Sequence, residues 1–172
     1  NFWHNSFKYL PPSTYAADHR EWYYYGNGEG AEPTQLDYTN DEMRIALTEV
    51  LKQYLLDNPT LENITITHED NRHWSDSAKN VALKAKYGTD AASMIIFCNK
   101  VAADIRAWLD EIGSDREINI IMFAYYATEQ APTRYNEATG KYEPIDNEVI
   151  LDEDVCVFYA PINADYNSSA YS

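Results

Sequence analysis

Ten consecutive residues, INIIMFAYYA at 118–127, carry no charge, and Asn119 is their only strongly polar member. The run is too short to cross a membrane. A strand with one wet face would alternate apolar and polar residues, whereas an unbroken apolar run describes a strand covered on both faces, as in a parallel sheet. Parallel neighbours have to be joined by long crossovers, usually helices, so the flanking sequence should supply helices of matching character.

It does so on the N-terminal side. Asn40 is placed to cap a helix over 40–57, with Asp41 and Glu42 in the first turn, where acids suit the helix dipole. Met43, Leu47, Val50, Leu51, Tyr54 and Leu55 recur at helical spacing, and Asn58-Pro59 ends the helix. A strand over 63–68 follows. Ser75 or Asp76 opens a short helix through Ala85, closed by Gly88. Thr89 or Asp90 then starts a second long helix over 90–112, with Met94, Cys98, Val101, Ala102, Ile105, Leu109 and Ile112 as its stripe and Gly113 as its stop. After the central run come a loop at 128–146, a short strand at EVILD (148–152) and a strand at VCVFYAPI (155–162). Residues 1–38 are aromatic and irregular; Pro11-Pro12 breaks regular structure, Ser13 or Thr14 caps a short helix to about His19, and GNGEG at 26–30 is a turn. The order helix, strand, helix, strand, loop, strand predicts one α/β domain over 1–172 with parallel pairing.

The net charge of −15 disfavours a phosphate backbone or an anionic membrane surface as partner. Fifteen tyrosines and four tryptophans offer flat faces with polar tips, which suit stacking on sugars as well as core packing. Cys98 and Cys156 fall inside regular elements and read as buried free thiols. The first residue is Asn1 rather than methionine, which predicts a processed chain, a trimmed one or a fragment; no signal-peptide pattern is legible, and a trimmed N-terminus would have lost one.

Open α/β sheets gather ligands at the carboxyl ends of their strands. His68, Glu69, Asp70 and Asn71 follow the first strand, Tyr125 and Tyr126 close the second, and Tyr159 and Asn163 close the last. With Trp74 just beyond, these polar and aromatic residues are the candidate site.

Five segments in this order, HNSFKYLPPSTYAADHREWYYYGNG, QLDYTND, the strand ending in HEDN, FAYYATEQAP and DNEVILDEDVCVFYAPINADY, resemble the bacterial DUF4838 family over nearly the whole chain. The resemblance implies a glycoside-hydrolase-like (β/α) TIM barrel akin to α-glucuronidases and β-hexosaminidases, of which this chain would be a partial barrel. It also implies export to the periplasm, cell surface or medium, a carbohydrate partner, and the remainder of a longer polypeptide supplying the missing strands. His4 matches a family histidine, Asp70 and Asn71 an acid–amide pair, and Tyr125 a tyrosine. Glu69 stands where the family more often has an amide, Ala127 replaces an aromatic, and Ser168 replaces a common histidine. HWSDSAKN lacks the cysteines that many members carry there, which removes a thiolate metal site.

Glycoside hydrolysis needs two carboxyl groups about the scissile bond, one of them a proton donor. Strand parity puts Ile64, Ile66, His68 and Asp70 on one face and Thr65, Thr67 and Glu69 on the other. If the isoleucines meet the helices, Glu69 points toward the substrate side; family matching favours Asp70 instead. A general acid must remain protonated near working pH, and Glu69 beside Asp70 would make ionising both harder. The expected catalytic residues are therefore Asp70 and Glu69. The expected substrate-binding residues are His4, His68, Asn71, Trp74, Tyr125, Tyr126 and Tyr159. Asp165 and Glu129 are candidates for a second carboxyl, which could equally lie outside the chain. The spacing of His68, Glu69 and Asp70 fits no standard metal site, and no nucleophile elbow, phosphate loop or dinucleotide fingerprint implies a cofactor. The expected activity is glycoside hydrolysis, with a non-catalytic glycan-binding module, or a domain without enzymatic activity, as the alternative.

Overall fold

A computed structural model describes residues 3–26 and 30–162. In chain order the elements are helices α1 (Ser6–Tyr9) and α2 (Pro12–Tyr15), strands β1 (Tyr23–Tyr24) and β2 (Gln35–Leu36), helix α3 (Asp41–Asp57), strand β3 (Asn63–Thr65), helices α4 (Ala78–Tyr87) and α5 (Ala91–Glu111), and strands β4 (Asn119–Ala124), β5 (Thr133–Asn136), β6 (Lys141–Pro144) and β7 (Val155–Tyr159). The centre is a three-stranded parallel sheet in the order β3-β4-β7. Ile64 pairs with Ile120, and Phe123 with Phe158. The chain is thus mixed α/β with a parallel sheet. Two short antiparallel pairs, β1-β2 and β5-β6, stand apart from it.

The helical boundaries follow the chemistry of their ends. Asn40 accepts the Met43 N–H and caps α3. Ser77 caps α4, two residues after Ser75, and Gly88 ends it in the left-handed conformation at φ 75°, where a side chain would clash with the backbone. On α3, Met43, Leu47, Leu51 and Leu55 are buried, while Tyr54 is exposed. On α5 the stripe from Met94 to Leu109 is buried, and Ile112 lies past the helix end in solvent. Ile64, Ile66, Ile120, Met122 and Val155 meet these helices in one core.

Several expectations need correction. The turn after Pro11-Pro12 ends at Tyr15 rather than His19, and no side chain caps it, because the residue at the capping position is Pro11, whose side chain has no oxygen to accept a backbone N–H. The 128–146 segment holds the β5-β6 hairpin, whose four-residue strands are too polar to register as apolar alternation. EVILD is no strand: Asn147–Val149 is a 3-10 turn opened by the Asp146 carboxylate, which accepts the Glu148 N–H. Cys156 is exposed, although Cys98 is buried. The ladder of the first strand stops at Thr65, though the Ile66 N–H still donates to the Ile121 carbonyl. No helix among the described residues is long and apolar enough to cross a membrane.

Candidate functional site

The N-terminal segment runs along the free edge of β3. Asn5 behaves there like a short piece of strand. Its Nδ2 donates to the Thr65 carbonyl at 2.9 Å, its Oδ1 accepts the Thr67 N–H at 3.0 Å, and its own N–H donates to the Thr67 carbonyl at 3.1 Å. One asparagine thereby satisfies backbone groups along the free edge of β3 that would be costly to leave unpaired. Beside it, Trp3 lies against Phe123 and Phe158, with ring centroids 4.9 and 4.8 Å away. His4 is held above the strand end, where its Nδ1 lies 2.8 Å from the His68 carbonyl.

Strand parity is obeyed through Thr67: Ile64 and Ile66 belong to the helix-facing core, and Thr65 and Thr67 face Asn5. Glu69 continues on the Asn5 side, but its Oε1 accepts from Ser6 Oγ and the Phe7 N–H, both at 2.9 Å, at the start of α1. Gln35 then grips the Glu69 backbone, accepting its N–H at 3.0 Å and donating to its carbonyl at 2.9 Å. Asp70 leaves the strand direction. Its Oδ1 accepts a 2.6 Å hydrogen bond from Tyr125 Oη and lies 3.9 Å from His4 Nε2. Its side chain is 64% exposed. Burial and the adjacent Asp70 push the Tyr125 hydroxyl well above the ordinary phenol range, so Tyr125 stays a donor.

A carbonyl can only accept, so His4 Nδ1 carries the hydrogen in its bond to His68. In neutral His4 the remaining nitrogen, Nε2, then presents a lone pair toward the Asp70 carboxylate. His4 Nε2 and Tyr125 Oη approach the same carboxylate oxygen, Asp70 Oδ1, the tyrosine within hydrogen-bond range and the imidazole 3.9 Å away.

The backbone around this pair is unusual. Among the described residues, the non-glycine positions with positive φ are His4 (49°) and Tyr126 (46°). Both adjoin Asp70 or its partner Tyr125. Such strain persists only where the surroundings enforce it, and it collects at ligand sites. Thr128 does the enforcing after β4: its Oγ1 accepts the Tyr125 N–H at 3.2 Å and donates to the Phe123 carbonyl at 2.8 Å. The Tyr126 ring lies 4.2 Å from that of Tyr125, and the Arg72 guanidinium sits 4.5 Å from the Tyr126 ring centroid.

The other candidates divide. His68 is fully buried, edge-on to Trp74 at 5.4 Å and 5.8 Å from the Tyr125 ring, and neither ring nitrogen has a well-formed hydrogen bond among the described residues. Burial, reinforced by the charge of His4, pushes its pKa down to about 4, the Tyr125 backbone and Asp70 opposing weakly. Asn71 is spent on the loop, accepting from Gln35 and donating to the Thr34 carbonyl, both at 2.9 Å. Trp74 turns toward the core, stacked on Tyr38 with its indole N–H donating to Asn80 and Ser93. Tyr159 is exposed at the register position of Ala124, one residue before Tyr125. Asn163, Asp165 and Ser168 lie outside the described residues, as does the middle of the GNGEG turn. Asn5, Ser6 and Gln35 escaped notice because a polar residue in an irregular segment shows no period; their burial alone marks them.

His68, Glu69 and Asp70 do not converge as metal ligands. Among the described residues, the ligand atoms that come within 4.8 Å of one another belong to His19 and Glu21, at the turn before β1, and Glu42, in the first turn of α3. No curated protein and no solved structure matches the chain. A family model described as "Domain of unknown function (DUF4838)" matches residues 1–140, and the chain belongs to that family.

Proposed function

We propose that the strand end around Asp70 is the carbohydrate site of a glycoside-hydrolase-like domain, and that the three parallel strands are part of a (β/α) barrel completed by flanking sequence of an exported polypeptide. The observation that carries the reading is Asp70 itself: exposed, gripped by Tyr125 and facing His4 at the carboxyl end of a parallel sheet. A sugar hydroxyl or glycosidic oxygen approaching Asp70 would meet an exposed carboxyl with the Tyr126 ring near its partner Tyr125. Asp70 is the proton donor in this reading, His4 and Tyr125 hold it, and Tyr126 and Tyr159 offer stacking faces.

A second reading rests on Glu69. Its carboxylate is engaged with Ser6 and Phe7, so it does not flank the bond that Asp70 would protonate. A site with a single available acid suits a glycan-binding module, unless the substrate or flanking sequence supplies the second group. A broad glycan panel, assayed for cleavage and for binding with the full-length polypeptide, separates the two. Hydrolysis is expected to vanish in Asp70→Asn while glycan binding survives, and Glu69→Gln to retain turnover. Binding without cleavage by the unaltered protein selects the module; neither binding nor cleavage sinks both.

A further inference from the structure

On the helical side of the molecule, between the start of α3 and the facing sides of α4 and α5, lies a cavity of about 420 Å3. Its floor is apolar, with Leu83, Ile96 and Phe97 among the lining. Its rim carries four of the thirteen cations of a chain whose net charge is −15: Arg44, Lys79, Lys86 and Lys100, against the two carboxylates Asp41 and Glu148. The contrast is with the roughly 500 Å3 cavity lined by Ile105 and Ser114, where Arg106 and Arg116 face five carboxylates.

The distribution of partners leaves positive charge at one end. Lys86 is neutralised by Asp146 and Glu148, at 2.8 and 2.6 Å. At the other end Lys79, Lys100 and Arg44 converge on the single carboxylate of Asp41, at 3.1, 3.0 and 3.9 Å. Arg44 has a second partner, Asp104, outside the cavity lining, yet its buried Nε has no hydrogen-bond acceptor. At that end three cations meet Asp41 and Asp104, whereas at the other end Lys86 meets two carboxylates, so the α3 end of the cavity is its positive end. The helix dipole adds to the field at the start of the seventeen-residue α3.

We infer that this cavity binds a small anion carrying an apolar body, an aryl or alkyl carboxylate or phosphate. The charged head takes Lys79 and Lys100, and the body rests on Leu83, Ile96 and Phe97. The test uses fluorine NMR on the 172-residue chain with para-fluorobenzoate, para-fluorophenyl phosphate and the neutral para-fluorobenzyl alcohol. The two anions are expected to bind saturably and more weakly as salt is added, and the alcohol not to bind. Lys79→Gln/Lys100→Gln should weaken the anions about tenfold. Both lysines are more than half exposed, so the variant keeps the melting temperature of the parent. Lys84→Gln, outside the cavity, should change nothing. The tighter of the two anions identifies the head group. Binding of neither anion, equal binding of the alcohol, or undiminished binding in the double variant overturns the inference.

Discussion

At the scale of single residues, the chain treats its two adjacent acids and its two neighbouring histidines in opposite ways. Glu69 is built into the N-terminal segment and Asp70 is left outward; His4 is tied through one nitrogen and His68 is sealed with neither tied. His68 therefore has a consequence for stability. Its pKa falls from the ordinary 6.5 to about 4 in the fold, because burial disfavours the imidazolium. Between those values the unfolded chain takes up a proton that the native one does not, so stability declines as pH falls from about 6.5 toward 4 and this contribution levels off below. By about pH 5 the loss should be roughly 2 kcal/mol from this residue. Urea titrations across that range, compared with His68→Phe, check it: the variant should show a flatter dependence, and an unchanged slope would mean that His68 is not held neutral. The candidate site was only half legible at this scale. Apolar runs mark the strand ends that carry Asp70 and Tyr125, but the preference for Asp70 over Glu69 comes from the family resemblance and not from strand parity. The fate of Glu69 could not be read from the sequence, since its partners Ser6 and Phe7 lie more than sixty positions away in an irregular segment.

Whole elements were far more legible, because a helix advertises its buried face through local spacing. The stripes of α3 and α5 form the wall against which β3 and β4 pack. Leu51 and Ile105 are at 0% and 1% exposure, with no room to rearrange into solvent. Leu51→Ala and Ile105→Ala should each cost roughly 2–5 kcal/mol, read as a lower midpoint in chemical denaturation, whereas Tyr54→Ala on the same helix should cost much less. Melting of the Leu51 and Ile105 variants like the parent would remove these helices from the core. What spacing missed among the elements has a common cause. The hairpin β5-β6 has mostly exposed strands, and two short strands without a buried face leave no period to detect.

The whole molecule shows where local reading stops. The runs at 118–127 and 155–162 look alike in sequence, yet β4 is buried at Ile120, Met122 and Phe123 and half-buried elsewhere, while β7 is exposed from Cys156 to Tyr159. The difference is position in the sheet: β4 has a strand on each side, and β7 has one on one side only among the described residues. Strand order is a property of the assembled chain, so no pattern within either run could announce it. Among the described residues this edge strand exposes Val157 and Tyr159, and an edge strand is a template for pairing with another strand. The net charge of −15 opposes contact between copies, but that repulsion is screened beyond about 8 Å at physiological salt. The 172-residue chain should therefore associate increasingly as salt is raised, the reverse of the salt dependence expected for anions in the helical cavity. Val157→Lys, placing a charge on the exposed edge, should return it to monomer in sedimentation experiments while changing stability by no more than about 0.5 kcal/mol. A parent chain that stays monomeric at all salt concentrations, or an association indifferent to Val157→Lys, would show that the β7 edge is not the contact surface.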